Sequence, residues 1–244
     1  HAVTKFAHIH FPASQQAMER IINLGERPED VHLVGCPRID LVEEILQDEN
    51  GHLGSIFERG VGGRIDLNRP FLLVSQHPVT TEYGKGEQQI LATLQAVRET
   101  GLPTVMLWPN ADAGSDDVAR GIRKWREQGL DKNMHFFKNL SMETYTRLMK
   151  KTVCLVGNSS SGIREGAFIG TPVVNIGSRQ DMRERGQNVI DVPHKCKAIA
   201  ESIYRQINHV PYQKEAIYGD GTAGKKIADI LATCKWQIQK RITY

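Results

Sequence analysis

The sequence predicts an α/β fold, a doubly wound parallel sheet of Rossmann-like type, and three observations carry that prediction. From Pro70 onward, short apolar runs alternate with amphipathic segments in β-α order. Polar or glycine-bearing stretches follow the runs, where such a sheet places its loops. Residues 152–188, TVCLVGNSSSGIREGAFIGTPVVNIGSRQDMRERGQN, pass from an apolar strand through a polar turn straight into a helix.

The elements then follow one another. A strand over 71–75 precedes a helix over 87–99, a strand over 104–108 precedes a helix over 117–128, and a strand over 135–137 precedes a helix over 142–151. A strand over 153–156 leads into a helix over 162–168. A strand over 173–176 is followed by another over 189–192 and a helix over 198–208. Residues 1–40 read differently: a strand over 5–10, a helix over 14–23 and a strand over 31–34 form the tail of another α/β unit, ending at Gly35-Cys36-Pro37. Residues 41–69, with Gly51, Gly54, Gly60, Gly62 and Gly63, read as helix plus linker into a main domain at 70–221. Residues 222–244 carry a last helix, over 224–242 by period, expected to pack back across the hinge. The chain begins at His1 without Met and enters a strand-like stretch with no polar lead-in, so further sequence is expected upstream.

Composition narrows the function classes. A chain of 244 residues makes one large or two small domains. With 40% hydrophobic and 24% charged residues it is ordinarily globular, and no apolar run approaches the roughly 20 residues that span a bilayer. A net charge of +3, with bases interleaved among acids, argues against a nucleic-acid partner. Cys36, Cys154, Cys196 and Cys234 form no CxxC pair, and reduced thiols fit a cytoplasmic protein.

In a doubly wound sheet the ligand sits beyond the carboxyl ends of the strands, so the loops there are where chemistry is sought. At GNSSSG, the strand end and helix start leave free backbone N–H groups beside the hydroxyls of Ser159, Ser160 and Ser161, which suits a phosphate. The competing reading is that Ser159 or Ser160 is only an N-cap. Glu165 offers an acceptor for sugar hydroxyls, and Gly177-Ser178-Arg179 brings a cation to the same edge; phosphate plus sugar reads as a nucleotide. His77 follows a buried strand, and Pro78 keeps it extended, so its imidazole is expected to face the cleft. It could donate a proton to a phosphate leaving group or hold it by a hydrogen bond, against the plainer reading of a surface loop histidine.

His8 and His10, two apart, would share a strand face, yet no third ligand is evident, and no metal is expected. Asn110 and Asp112 in PNADAG read as an Asx turn, because the calcium-loop pattern is absent. Arg183 and Arg185, around Glu184, read equally as a solvated loop or a phosphate contact. There is no GxSxG, no GxxxxGK followed by Ser or Thr, and no GxGxxG near a first strand, which argues against a hydrolase triad, an NTPase and a dinucleotide enzyme.

Seven blocks, HAVTKFAHIHFPAS, VGCPRID, QHPVTTEYG, LWPNADAGSD, GNSSSGIREGAFIGTPVVNIGSRQ, RGQNVIDV and IYGDGTAGKKI, occur in family order. By them the chain closely resembles the hydrolysing UDP-N-acetylglucosamine 2-epimerases of sialic-acid and related nonulosonate biosynthesis. The resemblance implies a two-lobed, glycosyltransferase-B-like fold, of which this chain is the carboxyl-terminal lobe with the end of the first. It implies elimination of UDP from UDP-N-acetylglucosamine through a 2-acetamidoglucal, then hydration to N-acetylmannosamine, with no cofactor. By the same likeness His77 is the catalytic-cleft histidine, Ser159 and Ser160 hold the diphosphate, Glu165 the ribose, and Asn110 and Arg179 complete the UDP site. The family's catalytic acids lie in the first lobe, and its full-length members imply a homo-oligomer, dimer or tetramer. Two rivals share the site: the same chemistry on a UDP-diacetamido-bacillosamine or GDP-linked sugar, and a nucleotide-sugar glycosyltransferase. A third is a catalytically silent UDP-binding or regulatory module.

Overall fold

Apolar runs buried on both faces pair side by side in the structure, a computed structural model that describes residues 1–54, 56–235, 239–241 and 243. The chain divides into two units, His1–Glu49 with Glu215–Tyr244, and Asn50–Lys214.

The second unit is built on a seven-stranded sheet. Its strands are β1 (Val61–Gly62), β2 (Leu72–Ser75), β3 (Thr104–Leu107), β4 (Met134–Phe137), β5 (Cys154–Gly157), β6 (Val173–Ile176) and β7 (Val189–Val192). They lie in the order β1-β4-β3-β2-β5-β6-β7; β1 runs antiparallel to β4 and all other pairs are parallel. Every residue of β2, β4, β5 and β6 is buried, which explains why these strands read as mainly apolar runs, with the buried polar residues Ser75, His135 and Asn175 among them.

The helices are, in the first unit, α1 (Ala2–Phe6), α2 (Gln15–Asn23) and α3 (Pro37–Gln47); in the second, α4 (Gly86–Glu99), α5 (Ser115–Glu127), α6 (Met142–Lys151), α7 (Ser160–Ile163), α8 (Glu165–Ile169) and α9 (Cys196–Ile207); and in the first again, α10 (Ala223–Thr233). Helix α4 buries Ile90, Leu94 and Val97, and α5 buries Val118, Ile122 and Trp125, each at three- or four-residue spacing. The two lie so close that a Cβ on Gly121 would stand 2.4 Å from Ile90 Cγ2. Helix α6 starts where Ser141 Oγ accepts the Thr144 N–H at 3.1 Å and spans the expected residues.

The first unit departs from expectation. Of the residues expected as a strand over 5–10, Lys5 and Phe6 lie in α1, closed by Lys5 N–H to His1 O at 3.1 Å and Ala7 N–H to Val3 O at 2.9 Å, and residues 7–9 form neither helix nor strand. Only His10 keeps extended pairing, as a single parallel bridge to Val31, so the expected strand over 31–34 does not form. Alternating apolar residues make a strand only where a neighbour strand supplies the ladder; here local helical bonds take its place. Pro37 opens α3, which carries residues 41–47 of the expected linker as helix. Helix α10 ends at Thr233 and packs on α3, where Asp40 accepts the N–H groups of Ala223 and Gly224 at 3.0 and 2.7 Å. Of the helix expected over 224–242, residues 236–238 and 242 lie outside the described residues. Among the described residues, no helix is long and apolar enough to cross a membrane.

Candidate functional site

Strands β2 and β5 end side by side, with Ser75 opposite Gly157. Gly157 has φ of 138°, and a Cβ there would lie 2.1 Å from the Ser75 carbonyl oxygen, so only glycine lets the two strand ends approach this closely. The next residue, Asn158, is fully buried and donates its N–H to Ser75 O at 3.1 Å. Its side chain reaches the loop after β2: Oδ1 accepts the His77 N–H at 2.7 Å, and Nδ2 donates to the His77 carbonyl at 2.8 Å.

His77 is 6% exposed and buried at the sheet edge. The Asn110 backbone N–H donates to its Nδ1 at 3.2 Å, which places the ring proton on Nε2, 3.4 Å from Ser75 Oγ. Burial lowers the His77 pKa from 6.5 to about 4; the Arg179 guanidinium pushes the same way and the Asp112 carboxylate opposes it. The imidazole is therefore neutral at pH 7. Asn110 itself is exposed and touches His77 through its backbone.

The cation arrives from the loop after β6. Arg179 donates from Nη1 to the Asn158 carbonyl at 3.2 Å and from Nη2 to Asp112 Oδ2 at 3.3 Å. Gln180 Nε2 donates to the same Asn158 carbonyl at 2.8 Å. Ser178 Oγ donates to Glu82 Oε1 at 2.9 Å, which ties this loop to the His77 loop.

At the serine turn Ser159 is the N-cap of α7, with Oγ 3.4 Å from the Ser161 N–H and 2.8 Å from Ser161 Oγ. The Tyr145 hydroxyl stands 2.7 Å from Ser161 Oγ, and burial raises its pKa. Ser160 opens the helix and is half-buried. The single helix expected over 162–168 is instead two short ones parted at Arg164, whose ψ of −68° departs from the helical value. Glu165 opens the second; it is 3% exposed, with Oε1 3.6 Å from Arg164 Nη2.

The structure thus gathers His77, Asn110 and Arg179 directly, and Ser159 and Glu165 near Tyr145, with Ser160 following Ser159 at the start of α7, all at the carboxyl ends of β2, β3, β5 and β6. Beyond Asn110 lies an open groove of about 700 Å³, lined by Trp108, Ser115, Arg123, Phe137 and Lys138. Sequence reading missed Asp112 as the partner of Arg179, and it missed Tyr145 altogether. Tyr145 sits inside an ordinary amphipathic helix, and no local signal marks it. His10 Nε2 instead faces Glu26 Oε2 at 3.2 Å in the first unit, and Arg185 donates to Asp191 at 2.7 Å. Among the described residues, no group of three or more His, Cys, Asp or Glu could hold a metal ion.

Comparison with known proteins bears on this geometry. Residues 1–232 match the family model described as UDP-N-acetylglucosamine 2-epimerase. The chain is 31% identical over 233 residues to the UDP-N,N'-diacetylbacillosamine 2-epimerase (hydrolyzing) of Legionella pneumophila, covering 96% of this chain and 59% of that protein. It is 26% identical over 238 residues to the UDP-N-acetylglucosamine 2-epimerase of Neisseria meningitidis serogroup B, covering 95% and 59%. The crystal structure of the UDP-GlcNAc 2-epimerase from Neisseria meningitidis bound to UDP-GlcNAc superposes with a TM-score of 0.74 at 18% identity, over 95% of this chain and 63% of that one. That likeness shows the fold, a glycosyltransferase-B-like α/β arrangement of the kind the family resemblance implies. The chain spans about three-fifths of the length of the relatives it matches.

Proposed function

This chain belongs to the UDP-N-acetylglucosamine 2-epimerase family, and from that premise we propose that its second unit grips the UDP of a nucleotide sugar for a hydrolysing 2-epimerase. In this reading residues 1–40 close a first lobe, 70–221 form the nucleotide-binding one and 222–244 pack back across the hinge. The observation that carries it is the convergence of His77, the serine turn and Arg179 on Asn158 at one strand edge.

The roles follow from chemistry. The hydroxyls and N–H groups at Ser159 and Ser160, with the fixed charge of Arg179, suit a diphosphate. The buried carboxylate of Glu165 suits a sugar diol, and Asn110 borders the groove that offers space for the rest of the ligand. His77, neutral with its proton on Nε2, acts as a hydrogen-bond donor to the leaving diphosphate rather than as an imidazolium acid.

The reaction proposed breaks the C1–O bond to UDP and removes the C2 proton, giving a 2-acetamidoglucal. Water then adds its hydroxyl at C1 and a proton at C2 on the opposite face, releasing N-acetylmannosamine and UDP. No cofactor enters that balance. The groups that move the C2 proton belong, by family likeness, to the first lobe. The full-length protein is proposed as a cytoplasmic homo-oligomer.

A second reading keeps the chemistry and changes the sugar to UDP-N,N'-diacetylbacillosamine, the compound in the name of the 31%-identical Legionella relative. Incubating full-length protein with each nucleotide sugar decides between them. Release of UDP and a free 2-epimeric sugar without an acceptor supports the epimerase, whereas turnover only with an acceptor would make the protein a glycosyltransferase. UDP calorimetry tests the site: Glu165→Ala and Arg179→Ala should each weaken binding tenfold or more, and unchanged affinity in both would sink the placement.

A further inference from the structure

We propose that Asn158 is the positioning residue for His77, an inference that rests on the UDP-site reading above. In the sequence Asn158 is merely the first polar residue of a turn. In the structure its side-chain amide meets both backbone polar groups of one residue 81 positions away, accepting the His77 N–H at 2.7 Å and donating to the His77 carbonyl at 2.8 Å. One acceptor and one donor spent on the same residue fix the peptide groups on both sides of His77 and so the direction of its Cα–Cβ bond. With the Asn110 N–H on Nδ1, the ring has little freedom left to turn.

Asn158 is wholly buried, so water does not replace these bonds when they are lost. Its backbone carbonyl has separate work, accepting Arg179 Nη1 at 3.2 Å and Gln180 Nε2 at 2.8 Å. The two tasks are separable by mutation: Asn158→Ala deletes the amide and keeps the carbonyl. Asn158→Asp keeps an acceptor for the His77 N–H but sets an anionic oxygen against the His77 carbonyl, with no N–H to offer it.

The test uses the 244-residue chain with ¹⁵N-labelled histidine, together with UDP calorimetry. In the unsubstituted protein the two ring nitrogens of His77 should resonate far apart, one protonated and one not. In Asn158→Ala that separation should collapse toward the average of a freely exchanging ring. His135, held between the carbonyls of Gly63 and Arg59, should keep its signals and report an intact fold. UDP affinity should fall by less than in Arg179→Ala, since Arg179 retains its carbonyl anchor and only the hydrogen bond from His77 is loosened. If Asn158→Ala does not fold, Asn158→Asp decides, with an altered His77 ring pattern expected. Unchanged His77 ring signals in a folded variant overturn the inference, and so does a loss of UDP affinity as large as that of Arg179→Ala. Absence of any UDP heat in the unsubstituted chain instead sinks the nucleotide reading, while the ring signals still test the clamp.

Discussion

Helices α2 and α4 are both amphipathic, yet α4 buries seven of its residues and α2 buries none. Helix α4 lies against α5 and α9 in the sheet unit. Helix α2 carries Met18, Ile21 and Ile22 on a face that its own unit covers only in part. The contrast teaches that a 3.6-residue pattern declares a face without saying what covers it, and that stability follows the cover.

Substitutions can break that contrast. The largest effect should come from Leu94→Ala, which empties a fully buried site between helix and sheet and should cost about 2–5 kcal/mol in chemical denaturation. An effect under about 1 kcal/mol would mean that α4 is no better supported than α2. Next comes pH. The folded His77 has a pKa of about 4 against 6.5 ordinarily, so between these values the unfolded chain takes up a proton that the folded one refuses. The His77 contribution to stability should be flat above pH 6.5 and decline as pH falls through that window, by at most about 3 kcal/mol. Burial lowers the His194 pKa too, so His77→Gln should remove part of the decline, as read from denaturation midpoints between pH 7 and 4.

A smaller effect is expected at the ligand. Glu165→Ala or Arg179→Ala should each lose about 1.5–3 kcal/mol of UDP binding in calorimetry. The smallest should be Ile21→Ala on α2, within about 1 kcal/mol in the same denaturation experiment. A loss comparable to Leu94→Ala would show that α2 is covered as firmly as α4.

The same contrast explains what was legible in the sequence. Strands β6 and β7 fall at the expected residues, and β2, β3, β4 and β5 within one residue at either end. Burial on both faces makes such segments short, mainly apolar runs. Helix α6 was legible at both ends, with Ser141 to start it. The strand expected over 5–10 was not, because alternation in KFAHIHF says nothing about whether a neighbouring strand is present. The break at Arg164 between α7 and α8 has no Gly or Pro at the break itself to announce it.

At the site, the loops after strands could be picked out because topology alone gathers them at one edge. His77, Ser159, Ser160, Glu165 and Arg179 were chosen on that ground, and Asn110 by family resemblance. The contacts joining them were not readable, since Asn158 to His77 and Arg179 to Asp112 link residues 81 and 67 positions apart. Such pairings are properties of the folded edge and leave no spacing signature along the chain.

The three-point hold on His77 has a thermodynamic corollary. A side chain already fixed at its N–H, its carbonyl and one ring nitrogen surrenders little rotational freedom when a ligand arrives. Freezing a mobile side chain typically subtracts about 0.5–1.5 kcal/mol from association. For His77 most of that entropy is lost when the chain folds, so its hydrogen bond to a guest should register in calorimetry chiefly as favourable heat.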